Sequence, residues 1–432
     1  MSKFSLLILR FLNLRLLLFF SIFQIAAPSN LYAVEKGEKV NVCVECHQNL
    51  EDTLKDAVTN WQESVHKKAG VYCNECHGGN PYDYDNAKDE KAGFIGIPKP
   101  KNIPMICSRC HSDIKMMRKY NLKTDQLNLY KTSIHGMRLF EKGDEAVATC
   151  VSCHGNHNIL SKNDPRSPVY RFNISMTCGK CHSNKEMMKP YNISTDQYDL
   201  YKKSHHGRML FENKNLRVPT CVDCHGTHGA APPGMADIAE GCGSCHAVIA
   251  EYFKKSPHLP GKKKGMPRCI TCHGNHDIQR PTAAKFTGMS KMDCGGCHQS
   301  DSPAFKVGDD IKTVLMEAEN SYKTGINAVS AIKEWRGSGF ATGHLEDDMD
   351  KAKTKLTEAY SLTHILSIKE VKTRASEVVS LSKNVSEIVE GMIYETKIRK
   401  IGLVFTWIVI AGISMLLWLK AKDWKRNIKA EK

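Results

Sequence analysis

All 18 cysteines of this 432-residue chain lie in one motif, Cys-x-x-Cys-His, which occurs nine times. Two thiols at that spacing reach the two vinyl groups along one edge of a haem, and the histidine that follows turns back to bind the iron as its fifth ligand. The motif therefore predicts nine covalently bound haem c groups, numbered 1 to 9 in chain order. The cysteines are Cys43 and Cys46, Cys73 and Cys76, Cys107 and Cys110, Cys150 and Cys153, Cys178 and Cys181, Cys221 and Cys224, Cys242 and Cys245, Cys269 and Cys272, and Cys294 and Cys297. The attachment histidines are His47, His77, His111, His154, His182, His225, His246, His273 and His298.

Three other uses of paired cysteines fit this pattern less well. A disulfide framework, a structural zinc site and a thioredoxin-like redox pair all employ cysteines at short spacing. None of them requires a histidine directly after every second cysteine, and no cysteine is left over for another role. The spacing favours haem attachment.

The motifs belong to a repeated segment. Residues 107–157 align without a gap on residues 178–228, with 28 identities among 51 positions. With relaxed spacing the repeat extends to about four and a half copies, each with two attachment motifs and a Ser-x-His between them. Repeats 1 to 4 run over approximately residues 43–80, 107–157, 178–228 and 242–276, and residues 294–298 form an unpaired half.

Ten histidines lie outside the attachment motifs and are candidates for the sixth iron ligand. Seven stand at repeated places: His66, His135, His206 and His258 in Ser-x-His, and His157, His228 and His276 in a Gly-x-His that follows the second motif of a repeat. A histidine three residues after an attachment histidine leaves the chain in a different direction, so we expect it to bind the iron of a neighbouring haem. One short segment would then hold two irons. Repeat 1 departs from this pattern, because Asn80 stands where the others have histidine.

The three remaining histidines are His364, His344 and His205. His364 lies on the apolar ridge of a long predicted helix, and we expect it to bind a haem near the C-terminal end, although a buried core histidine has the same pattern. His344 is a second candidate ligand, in a place that also suits a loop or cap residue. His205 precedes His206 and is expected to be its neighbour in one haem pocket. Methionine ligation stays open at some irons.

The haem-bearing part has too few residues for an ordinary apolar core. The 256 residues from Cys43 to His298 give about 28 per haem, so the haems themselves must form the core, wrapped by short helices and loops. After Pro303 apolar residues recur at helical spacing, break at residues 336–344, and then continue in a longer helix. The predicted class is mainly α with much irregular loop, organised as a nonahaem domain (34–302) and a helical hairpin (303–400).

The two ends carry targeting and membrane signals. Residues 1–33 combine three cations, an apolar run and small residues, the pattern of a secretory signal peptide. Residues 401–419 are uncharged and close to the roughly 20 residues needed to cross a bilayer. The basic tail at 420–432 then predicts a cytoplasmic C-terminus, a single pass through the inner membrane and a periplasmic haem domain.

The net charge of +15 does not by itself indicate a nucleic-acid partner. Without the three cations of the signal it is +12, and nine haems add roughly −18 from ionised propionates. The mature holoprotein is then near neutral or mildly acidic. Much of the lysine and arginine excess is expected to face propionates rather than a nucleic acid.

The nine motifs, the duplicated segment and the CHGxH turns resemble the multihaem c-type cytochromes with doubled CxxCH motifs, related to the cytochrome c3-like and tetrahaem quinol-dehydrogenase families. The resemblance covers about residues 40–300. It implies a chain of close haems that passes electrons between the membrane quinol pool and periplasmic or outer-membrane cytochromes or reductases. The quinol dehydrogenases carry their anchor at the N-terminus, whereas this chain has its span at the C-terminus. A membrane partner such as a cytochrome b is therefore expected to oxidise the quinol.

A multihaem reductase of a small nitrogen or sulfur oxyanion is the alternative function. Such chemistry requires an iron with an open sixth site. The sequence has no C-x-x-C-K variant, which similar nitrite reductases use at the catalytic haem, and ten spare histidines are enough to close nine irons. The ligand count favours an electron-transfer protein over an enzyme.

The first prediction concerns haem content. Because every cysteine is in an attachment motif, the intact mass of the mature protein should exceed that of its polypeptide by nine haems. Mass spectrometry of the purified protein measures this directly. An excess of seven haems or fewer would show that some motifs are not used.

Overall fold

The computed structural model describes residues 40–51, 53–230, 236–258, 266–287, 293–334 and 341–430. These ranges contain helices and irregular loops and no strand, which confirms the predicted mainly α class. The predicted signal peptide (1–33) lies outside the described residues. The chain divides into two compact units, residues 1–98 and residues 99–432. Repeat 1 thus lies in the first unit, and the later repeats share the second unit with the C-terminal helices.

The N-terminal unit is built on four short helices and a long loop. The helices are α1 (Val42–Gln48), α2 (Thr53–Glu63), α3 (Val65–Lys68) and α4 (Cys73–His77). The loop that follows contains a 3₁₀ turn at Glu90–Ala92. Buried apolar side chains are few in this unit: Val42, Val58 and Trp61. Such a small apolar core agrees with the expectation that the cofactors fill the interior.

In the second unit the haem-bearing part follows the repeats. Its helices are α5 (Ile103–His111), α6 (Ile114–Arg118), α7 (Gln126–Thr132), α8 (Ile134–Glu141), α9 (Cys150–His154), α10 (Ile174–His182), α11 (Lys185–Met188), α12 (Gln197–Lys203), α13 (His205–Phe211), α14 (Cys221–His225), α15 (Ala236–Cys245), α16 (Ala247–Lys254) and α17 (Cys269–His273). The first motif of repeats 2, 3 and 4 ends a longer helix, and the second motif forms a five-residue helix of its own. The haem 9 motif lies in a 3₁₀ turn, Cys294–Gly296.

The C-terminal part is a bundle of three helices, α18 (Pro303–Glu334), α19 (Gly343–Leu362) and α20 (Ile368–Ala430). Lys333 pairs with Glu346 at 2.8 Å near one end, which sets α18 and α19 antiparallel. The periodicity predicted one long helix after the break at 336–344. The structure interrupts it with a 3₁₀ turn at Thr363–Ile365 and with Leu366 in the left-handed region (φ 58°), so the predicted hairpin gains a third helix.

Helix α20 extends beyond the bundle. Its side chains are buried in a regular pattern as far as Val389, and from Tyr394 onward its large apolar side chains are exposed. Within the described residues it is the helix that is long and apolar enough to cross a membrane, with a mean hydropathy of 2.2 over 18 residues. Helix α20 therefore runs without a break from the bundle into the apolar segment.

The second prediction concerns the stability of the bundle. Leu345 is fully buried against α18 and α20, so Leu345→Ala should reduce the free energy of unfolding of the bundle by about 2–5 kcal/mol. Urea denaturation of the detergent-solubilised protein, followed by far-ultraviolet circular dichroism, measures the change. Met316→Ala on exposed α18 surface is the matched control and should cost less than about 0.5 kcal/mol. Equal effects of the two changes would contradict the packing described.

Candidate haem-binding sites

The second motif of repeats 2, 3 and 4 lies in a short helix with a capped first turn. In α9 the Thr149 backbone N–H donates to Ser152 Oγ at 3.0 Å, and in α14 the Thr220 N–H donates to Asp223 Oδ2 at 2.6 Å, which fixes the first turn. The glycine after the attachment histidine of each second motif has a positive φ, where a side chain is strained. These glycines are Gly78 (70°), Gly155 (83°), Gly226 (87°) and Gly274 (72°). The turn they allow directs the histidine three residues on away from the first histidine.

The serine of Ser-x-His caps the helix that carries the second kind of candidate ligand. Ser133 Oγ accepts from the Gly136 N–H at 3.0 Å and donates to the Tyr130 carbonyl at 2.6 Å. A Cβ at Gly136 would collide with the same carbonyl. The equivalent contacts recur in repeats 1 and 3. The sequence showed this serine only as a marker of the repeat, whereas the structure shows that it fixes the position of His135.

Six attachment histidines face a second histidine ring, with ring centroids 6.0–6.3 Å apart. The pairs are His182 with His135, His154 with His228, His246 with His206, His225 with His276, His298 with His258, and His273 with His364. Two metal–imidazole bonds of about 2 Å, plus about 1 Å from each ring nitrogen to its ring centre, give about 6 Å. Each pair therefore has the spacing of two axial ligands on one iron.

The residues present fit covalent haem better than the other uses of cysteine. All 18 cysteines lie in the described ranges, and none is in a disulfide. The described residues contain no group of three or more His, Cys, Asp and Glu side chains that could hold a metal ion as zinc sites do. Paired imidazoles next to two thiols are the ligand set of a haem c with two axial histidines.

The pairs follow one register along the repeats. The attachment histidine of a first motif faces the Ser-x-His histidine of the preceding repeat, as His182 of repeat 3 faces His135 of repeat 2. The attachment histidine of a second motif faces the Gly-x-His histidine of the following repeat, as His154 of repeat 2 faces His228 of repeat 3. Residues 221–228 thus place His225 against His276 and His228 against His154, two different partner rings.

His364 takes the place of a missing repeat at the C-terminal end. The half-repeat has no second motif and no Gly-x-His, so the repeats offer no partner to His273. His364, in the 3₁₀ turn between α19 and α20, faces it instead with a centroid distance of 6.0 Å. His364 Nδ1 donates to the Ser361 carbonyl at 3.0 Å, which leaves Nε2 as the ligand atom. His77 Nδ1 donates to the Gly96 carbonyl in the same way, at 2.7 Å.

Burial favours the neutral form of two of these imidazoles. Burial, and after it the neighbouring ring of His228, lowers the pKa of His154, and burial and His182 do the same to His135. The desolvated interior disfavours the charged imidazolium. Neutral imidazole is the form that binds a metal, so His154 and His135 are ready to act as ligands at neutral pH.

Consecutive attachment motifs lie side by side in chain order. Within repeats 2, 3 and 4 the first cysteines of the two motifs are hydrogen-bonded to each other, as Cys107 is to Cys150 and Cys178 is to Cys221. In repeat 4 the hydrogen bond from Cys242 lowers the pKa of the Cys269 thiol to about 6. Between repeats, burial and then the nearby Cys178 raise the pKa of Cys153 to about 11. Burial and nearby cysteines of the next motif likewise raise the pKa of Cys224 and Cys272. From haem 3 to haem 9 the attachment sites therefore follow one another in space.

Comparisons with known proteins support this reading of the site. Residues 65–158 match the family described as cytochrome c3, residues 213–251 match the doubled CXXCH motif, and residues 24–78 match cytochrome c554 and c-prime. The matched segments are those of multihaem c-type cytochromes. The C-type polyheme cytochrome OmcC of Geobacter sulfurreducens is 27% identical over 168 residues, which cover 33% of this chain and 20% of that protein. The chain thus spans about a fifth of this relative's length, and no solved structure matches it.

The structure does not bring every candidate ligand to a cytochrome site. His344 is exposed in the first turn of α19, at the opposite end of that helix from His364 and about 30 Å away along its axis. Its position gives the ligand prediction no support. His205 is half-buried with its ring 6.2 Å from that of His206, as expected of a neighbour in one pocket. The ligand roles of His66 and His157 stay predictions.

The third prediction tests the register. His228→Ala should leave the iron of haem 4 with one histidine and add one high-spin, carbon-monoxide-binding haem per chain to whatever the wild type shows, because His228 is the ring that faces His154. Visible absorption of the reduced protein with and without carbon monoxide measures this. His344→Ala, at an exposed histidine remote from these pairs, is the matched control and should leave the spectrum unchanged. A wild-type spectrum from the His228 variant would refute this pairing.

Proposed function

We propose that this chain relays electrons along a linear series of nine haems, between the membrane quinol pool and periplasmic or outer-membrane acceptors. The observation that carries the proposal is the order of the attachment sites, in which the cysteines of one motif touch or approach those of the next from Cys107 to Cys297. Haems bound at adjacent cysteines lie close together. Electrons then pass from one to the next without leaving the protein.

The paired histidines favour transfer over catalysis at these haems. The haem supplies the one-electron chemistry of its iron. Each of the six described histidine pairs would hold an iron between two rings and so exclude substrate from it, and the Nδ1 contact of His364 to a backbone carbonyl keeps that ring in one orientation. Haems held in this way would be suited to electron exchange rather than to catalysis.

The bundle supports a membrane location with an indirect connection to the quinol pool. The apolar segment beginning at Ile401 is continuous with α20, and 33 residues separate it from Ile368, a rise of about 50 Å. His364 and the start of α18 lie at the far end of this rod, so haems 8 and 9 stand well away from the bilayer. That distance is too long for direct electron transfer from a quinol. It favours a membrane partner, such as a cytochrome b, whose own cofactors reach the haem chain.

The anchor is the part of the proposal that a truncation tests. A chain ending at Lys397 lacks the apolar segment, and we expect a soluble, fully haem-loaded periplasmic protein that the membrane quinol pool no longer reduces efficiently. Cell fractionation and the reduced haem absorption of membranes given a respiratory substrate are the measurements. The full chain in the same cells should be reduced under these conditions.

Dithionite is the control for the truncated protein, because full reduction shows that its haems remain redox-active. A truncated protein that still sediments with membranes after a high-salt wash would contradict the single C-terminal anchor. A soluble truncated protein that quinol reduces as fast as the full chain would contradict the need for a membrane connection.

A further inference from the structure

The two ends of the repeat array differ in how the attachment histidine obtains its partner ring. Each first motif in a described pair takes its partner from a Ser-x-His that lies before it: His135 for His182, His206 for His246 and His258 for His298. These partners lie 47, 40 and 40 residues upstream. At the C-terminal end, where the repeats stop, His364 of the bundle closes haem 8.

Haem 1 is the first haem of the first repeat, so its partner would have to come from a repeat that precedes Cys43. Repeat 1 lacks the histidine that later repeats place against the haem pair before them. In repeats 3 and 4 the Gly-x-His serves the second haem of the preceding repeat, as His228 and His276 do. The same place in repeat 1 holds Asn80, which has no imidazole. Residues 1–42 contain no histidine that could serve haem 1 instead.

The other histidines of the N-terminal unit do not fit the role of sixth ligand to the iron of haem 1. His77 is the attachment histidine of haem 2. His66 follows Cys43 in the chain and occupies the Ser-x-His place, capped by Ser64 like its counterparts, and every such histidine in a described pair serves a motif that comes after it. Within the described N-terminal unit no further histidine is left to play at haem 1 the part that His364 plays at haem 8.

We propose that haem 1, held by Cys43, Cys46 and His47, keeps its sixth position accessible to a small exogenous ligand such as carbon monoxide or nitric oxide. Cys46 is exposed, as are the second cysteines of several motifs with paired histidines, so the missing partner histidine and not exposure distinguishes haem 1. This inference rests on the haem loading in the proposed function. Haem 1 would then be the haem whose iron a small substrate of a reductase could reach.

Carbon monoxide binding to the full-length holoprotein in detergent tests the proposal. The reduced protein should bind one carbon monoxide per chain, seen as a shift of one ninth of the Soret absorption, and the oxidised protein should show one high-spin ferric haem per chain by electron paramagnetic resonance. No binding, with all haems low-spin in both states, would overturn the proposal. So would binding of two or more per chain.

Paired variants place the binding haem. Cys43→Ser with Cys46→Ser should remove one haem from the intact mass and bring carbon monoxide binding from one per chain to none. The matched control, Cys294→Ser with Cys297→Ser, should also lose one haem but keep one bound carbon monoxide. Binding that persists in the first variant overturns the assignment to haem 1. If the wild type carries nine haems and binds none, this inference fails while the relay stands; a wild type with far fewer haems fails the relay itself.

Discussion

Two imidazole rings 6.0–6.3 Å apart, contributed by different repeats, are the contact on which the organisation of the haem-bearing part depends. One iron between such rings would join two segments 40 to 91 residues apart in the chain, with a strength that no pair of apolar side chains provides. The protein has few fully buried large side chains in this part, Leu139 and Leu210 being the main ones. Ligand bonds and covalent haems therefore take over the role that an apolar core has in other folds.

The same contact makes the repeats interdependent. Repeats 3 and 4 each place one histidine against the repeat before and another against the segment after, so neither is complete by itself, as in solenoid proteins whose neighbours share an interface. The ends of such an array lack a neighbouring repeat. At the C-terminal end the three-helix bundle places His364 against His273 instead. At the N-terminal end repeat 1 has Asn80 in the ligand place and a separate compact unit.

In the proposed relay, the bundle would set where electrons enter or leave. Because α20 is one continuous helix from Ile368 into the apolar segment, it would hold haems 8 and 9 at a distance from a bilayer that depends only on helix length. Such an arrangement would suit contact with other redox proteins rather than with the lipid-soluble quinol itself. The ordered series of attachment sites would provide the rest of the path within the second unit.

The sequence by itself determined the chemistry and most of the candidate ligands. Cys-x-x-Cys-His is a local pattern, and so are Ser-x-His, Gly-x-His, the helical period of residues 303–400 and the apolar run from Ile401, so each could be read from neighbouring residues. Only the tertiary structure decided which histidine faces which, because His273 and His364 are 91 residues apart and no local spacing encodes their contact. It also decided that the long helix breaks at Thr363–Ile365, where the ring of His364 faces His273, although the apolar period continues through that point. His344 was also a candidate ligand, but it lies at the other end of α19 from His364. The neighbouring residues of His344 do not reveal this, because the bundle decides which end of the helix lies near the attachment motifs.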